Sequence, residues 1–96
     1  MEPLLCQAIR QRRVLALRYR GFTRAVEPHV YGFGRDGEPL LRGWQRAGDS
    51  DSGASSGWKL MRVEDISTAD LTDERFDRRP DYRRADPAIV QVFCQV

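Results

Sequence analysis

Lysine is almost missing from this 96-residue chain: of its 16 basic residues only Lys59 is a lysine, and the others are arginine. Histidine is represented by His29 alone and cysteine by Cys6 and Cys94. One histidine and two cysteines without ligand spacing exclude His-rich and cysteine-ligated metal sites, and no metal or cofactor is expected. No nucleophile stands beside a base and an acid in any hydrolytic arrangement, which argues against an enzyme. Long apolar runs are absent too. None approaches the roughly 18 residues that span a bilayer, so no membrane segment is expected. The opening Met1-Glu2-Pro3-Leu4-Leu5 stretch lacks the basic and long apolar regions of a secretory signal. Cys6 and Cys94 therefore read as buried, reduced thiols of a cytoplasmic protein.

What is present is ordinary for a folded domain: 41% hydrophobic and 31% charged residues, with a net charge of only +2. The length suits one domain, because two halves would each be too small to close a core. Arginine in place of lysine is what GC-rich coding would produce. It also suits bidentate recognition of phosphate or carboxylate, and a mildly basic chain permits nucleic acid as a partner.

Residues 1–13 form a short helix with Pro3 in its first turn and Leu5, Cys6 or Ala8, and Ile9 on one face. The period then drops to two. Leu15, Leu17 and Tyr19 alternate with Ala16, Arg18 and Arg20, a strand pattern. A second strand spans 24–33, bent at Pro28. Asp36-Gly37 turns the chain, since the pair supplies the positive φ of a hairpin. Strands follow at 39–46, 58–63 and, after a kink near Glu64-Asp65, 65–71. The Ser/Gly-rich segment 47–57 is expected to be a mobile surface loop. Beyond a 14–76 β core, residues 77–96 are an extension, with Tyr82 as an anchor, one helical turn at 86–88 and a final strand over 89–96. The fold class is mainly β: a bent antiparallel barrel with one N-terminal helix.

Three segments in order carry a family resemblance: Leu17-Arg18-Tyr19 with Arg24-Ala25-Val26-Glu27-Pro28, then Gly37-Glu38-Pro39-Leu40-Leu41-Arg42-Gly43, then Trp58-Lys59-Leu60-Met61-Arg62-Val63, with Ile66 and Phe76 downstream. Together they resemble the WYL domain of bacterial transcription regulators. Pro39-Leu40-Leu41 stands where the family has Trp-Tyr-Leu, and the residues ahead of Val14 are too few for a helix-turn-helix. The string Glu27-Pro28-His29, Gly32, Leu41-Arg42, Gln45, Gly48, Ser52-Gly53 and Gly57-Trp58-Lys59-Leu60 is similar to small stand-alone members of the group. The resemblance implies an SH3/Sm-like barrel that binds a ligand or nucleic acid, as a sensor module does.

The candidate ligand-binding residues are Glu27, His29, Arg42, Trp44, Gln45, Trp58, Lys59 and Arg62. Arg42, Lys59 and Arg62 would supply positive charge for a small anionic ligand such as a nucleotide. Trp44 and Trp58 would offer stacking surface, or else pack the core or its rim. Glu27 is expected to pair with Arg42, either orienting it towards the ligand or forming a purely structural ion pair. Parity places Lys59 and Arg62 on opposite faces, with Leu60 as core and Trp58 and Arg62 turned inward. The alternative partner is single-stranded nucleic acid, tracked by Arg18, Arg20 and Arg24, unless these are simply a solvated face. The mixed charges of 73–86 read as self-compensating surface. The apolar strand 89–96 must pair with the core or with another chain, a homodimer or a partner joined edge to edge.

Overall fold

The computed structural model describes residues 1–48 and 56–96. The chain runs through helix α1 (Glu2–Gln11), strands β1 (Arg13–Tyr19), β2 (Phe22–Phe33), β3 (Pro39–Gly48) and β4 (Gly57–Arg62), a 3-10 turn over Val63–Asp65, then β5 (Ile66–Arg75) and β6 (Gln91–Gln95). The expected 47–57 loop falls mostly at 49–55, outside the described residues.

The strands form one antiparallel six-stranded sheet in the order β4-β3-β2-β1-β5, with β6 pairing β2 off this path. Among the described residues β4 and β5 do not pair, so the sheet is not closed into a barrel. β2 is the longest strand and the hub. Its first half pairs β1, its last residues pair β6, and β3 runs along its other edge. Gly32 makes the β6 pairing possible: a Cβ there would sit 2.1 Å from the Gln91 carbonyl oxygen. Gly37, at φ +80°, closes the β2–β3 hairpin as Asp36-Gly37 predicted.

At ten residues α1 is too short to hold its shape alone. It lays Leu5, Cys6, Ala8 and Ile9 on the inner face of the sheet, against Leu15, Leu17, Val26, Tyr31, Leu41 and Met61. The inner residue of β4 is Met61, which is fully buried, whereas Leu60 is 40% exposed. The expectation that Leu60 is core, with Trp58 and Arg62 inward, is thus reversed. Leu41 pairs Met61 and Arg42 pairs Leu60, and β3 sets which face of β4 meets the helix.

The outer face is covered by the chain's own return segment, residues 76–90. Ile89 and the half-buried Tyr82 pack on Val30 and Leu40 there. In place of the expected helical turn at 86–88 a single turn closes with Ile89 N–H on the Asp86 carbonyl, and the final strand, β6, pairs β2, one of the two outcomes expected of an apolar end. Cys6 on α1 and Cys94 on β6 are joined in a disulfide with their Cα atoms 5.7 Å apart. The expectation of reduced thiols is therefore overturned, and with it the ground for inferring a reducing compartment. The cysteines stand 88 residues apart in sequence, and only the return of β6 brings them together.

Candidate functional site

Pro28 has no N–H to give to the ladder, and β2 is bulged beside it. Pro28 pairs Gly43 while Val30 pairs Arg42, so His29 is the extra residue. Glu27 lies opposite Trp44, and Trp44 opposite Trp58. Glu27, His29, Arg42 and Trp44 thus share the outer face, and Trp58, expected to turn inward, joins them there.

Their pairing differs from expectation. Glu27, whose side chain is 3% exposed, does not meet Arg42. Arg79 of the return segment donates to it from both Nε and Nη2, at 2.9 and 3.1 Å. Arg46 Nε lies 3.1 Å from the same carboxylate. Arg79 also lies over the Trp44 ring, 4.2 Å from its centroid. Arg42 instead holds Asp86, through Nε at 2.7 Å and Nη2 at 3.3 Å. Two oppositely charged side chains of the return segment therefore complete the set: Arg79 adds to the Arg46 pairing of Glu27, and Asp86 supplies the counter-charge of Arg42. Burial opposes ionisation of Asp86. The Arg42 hydrogen bonds and the Ala88 N–H outweigh it and hold the carboxyl below its ordinary 3.8.

His29 is fully buried. Its Nδ1 is 2.8 Å from the Glu27 carbonyl oxygen, which can only accept, so Nδ1 carries the proton. Nε2 accepts the Arg79 backbone N–H at 3.1 Å. Trp58, Phe76 and Tyr82 surround the ring, with centroids at 4.8, 5.2 and 5.2 Å. Burial lowers its pKa, against the Glu27 carbonyl bond that raises it. With both nitrogens engaged inside the protein, His29 fastens the return segment to β2.

The remaining candidates lie elsewhere. Gln45 is fully buried on the inner face, where Arg24 Nη1 donates to it at 3.2 Å. Lys59 shares that face, opposite Gly43. Arg62 is on the outer face but pairs with Glu64 along the chain. Of the arginines expected to track a nucleic acid, Arg18 is exposed and Arg20 pairs with Asp65. Arg24 is 4% exposed, with its guanidinium over the Tyr19 and Phe22 rings. The expected Arg18–Arg20–Arg24 stripe is thus broken, because Arg24 turns inward.

Sequence reading missed Arg46, Arg79, Arg83 and Asp86. For Arg79, Arg83 and Asp86 the signal is the charge run of 73–86, which reads as self-compensating surface; for Arg46 it is the alternation along β3, which puts it on the face of Arg42 and Trp44. Arg79 and Asp86 in fact fold onto strand residues about 50 positions away in sequence.

Two clefts flank the return segment. One, of about 250 Å³, is lined by Arg42, Trp58, Asp81, Tyr82, Arg83, Asp86 and Pro87. Trp58 Nε1 donates to Asp81 there at 2.9 Å, and the Trp58 and Tyr82 rings lie 6.0 Å apart. The other, of about 310 Å³, opens beside Glu27 and is lined mainly by charged side chains. Among the described residues no group of three His, Cys, Asp or Glu side chains is placed to hold a metal ion. No protein-family model, no curated protein and no solved structure matches the chain.

Proposed function

We propose that this protein is a non-enzymatic binding module of the WYL-like type, taking a small anionic ligand that carries a ring, such as a nucleotide. The observation that carries the reading is the cleft between the sheet and the return segment. Arg42 and Arg83 line it beside the Trp58 and Tyr82 rings. Aromatic surface next to guanidinium groups suits a flat ring attached to an anion. The anionic group would compete with the Asp86 carboxylate for Arg42 and draw on Arg83, which has no acidic partner among the described residues. The likeness to stand-alone WYL domains supports the same class of function, with the open sheet as a relative of an SH3/Sm-like barrel.

The test is a thermal-shift series with nucleoside monophosphates. A ligand at about 100 times its Kd adds about 2.7 kcal/mol of stability to the folded state. Arg42→Ala is expected to stay folded and to lose that stabilisation. No shift with any nucleotide, or equal shifts in the variant, would sink the proposal. A gain seen only with single-stranded oligonucleotides, and falling steeply with salt, would move the reading to nucleic-acid binding.

A further inference from the structure

The second cleft has a different chemistry. At its floor is the buried Glu27 carboxylate, already committed to Arg79 and Arg46. Arg46 is braced on its other side by Glu74, and Arg79 by the Trp44 ring. Two guanidinium groups are therefore held in fixed positions before any ligand arrives and form a rigid cationic base to the cleft. Arg75 and Arg78 line the same cleft. Arg75 donates to the Gln11 carbonyl at 3.0 Å, and neither Arg75 nor Arg78 has an acidic partner among the described residues.

The lining holds four guanidiniums, those of Arg46, Arg75, Arg78 and Arg79, against two carboxylates, those of Glu27 and Asp77. Glu74 reduces the surplus from two positive charges to one, and the concave surface remains cationic. The lining is mostly polar, which disfavours an apolar guest. Guanidinium groups that line one cleft from β3, the end of β5 and the return segment suit a tetrahedral oxyanion, which presents several acceptor oxygens at once.

We propose that this cleft is an oxyanion site for a small phosphate dianion, inorganic phosphate or a phosphomonoester, with Arg75 and Arg78 as its ligand-contacting groups on the Glu27-anchored Arg46–Arg79 base. The site is separate from the Arg42 cleft and does not depend on it.

Titration calorimetry with inorganic phosphate, at constant ionic strength set with chloride, tests the assignment. Wild type is expected to bind, and Arg75→Ala/Arg78→Ala, which removes exposed side chains outside the Glu27 network, to lose affinity by about tenfold or more. Arg78→Glu, a single exposed change, gives the same loss if the double variant folds poorly. Arg42→Ala is expected to keep phosphate binding. Absence of heat in the wild type, or unchanged affinity in the double variant and in Arg78→Glu, overturns the proposal. Phosphate binding abolished by Arg42→Ala alone would transfer the anion to the other cleft, overturning this site while leaving the nucleotide reading intact. Tighter binding of a 5′-hydroxyl oligothymidylate than of phosphate, weakening steeply with salt, would assign the cleft to a polynucleotide backbone and likewise overturn it.

Discussion

Glu27 and His29 are neighbours in sequence whose roles diverge once the return segment arrives. Glu27 is a buried carboxylate with two guanidinium partners, each about one-third exposed. Replacing it by Gln leaves Arg79 without its counter-charge and Arg46 with Glu74 alone. The partners' exposure lets water offset part of the loss, so Glu27→Gln is expected to cost about 2 kcal/mol, below the range for fully buried pairs. A lowered urea midpoint with an unchanged slope is the expected result. An unchanged midpoint would show that Arg79 is held well enough by Trp44 and His29 without the Glu27 charge. His29 carries a pH dependence of definite sign. Burial makes its folded-state pKa lower than the ordinary 6.5, so the unfolded chain binds more protons in between. Its contribution is complete above pH 6.5 and is lost as the pH falls through the folded value. Stability measured from pH 8 downwards should be flat and then decline below 6.5, and His29→Gln should flatten that limb.

The return segment behaves as an element although it has no regular secondary structure before β6. It is pinned by Arg79 on Glu27, Tyr82 against the His29 ring and on Gln95, and Asp86 on Arg42. Asp86 adds a second, separate acid limb. Its folded pKa lies below the ordinary 3.8, so the stability it supplies is present above that value and lost as the pH falls through the folded one. Asp86→Asn is expected to cost about 1–2 kcal/mol at pH 7 and to remove only this lower limb, leaving the His29 limb in place. Both limbs vanishing together in the Asn variant would mean that the segment detaches as one piece. Tyr82 was legible as an anchor because it is the only aromatic residue in the charged, Pro-containing stretch 77–84. The partners of Arg79 and Asp86 were not legible. Five arginines and five acids alternate over 73–86, and no local rule selects among them.

For the molecule as a whole the disulfide is the dominant constraint. It ties the first helix to the last strand and closes nearly the entire chain into one loop, with a separation of 88 residues. Loop-closure entropy for that length corresponds to about 4–5 kcal/mol. That is a large share of the roughly 5–15 kcal/mol that domains have in total. Reduction with a thiol, or Cys6→Ser/Cys94→Ser, is therefore expected to lower the melting temperature by more than 15 °C, on the order of 4–8 °C per kcal/mol for a domain of this size. A melt unchanged by reductant would show that α1 and the β2–β6 ladder hold the ends together unaided.

Local pattern alone determined the elements. The helix face, the alternation in β1, the bend beside Pro28, the Asp36-Gly37 turn, the break before β5 and the terminal strand were all legible, because each depends on residues within a few positions of one another. Local pattern also placed Glu27, Arg42, Trp44 and Trp58 on neighbouring strands. Tertiary structure decided the rest. Parity says that Leu60 and Met61 face opposite ways, but which one meets the core depends on where α1 packs. A carboxylate attracts any arginine, and only the path of residues 76–90 selected Arg79 for Glu27 and left Arg42 to Asp86. The two cysteines carry no spacing that joins them. Their bond exists because β6 pairs β2 next to the helix that starts the chain, a contact between the two ends that no short-range pattern encodes.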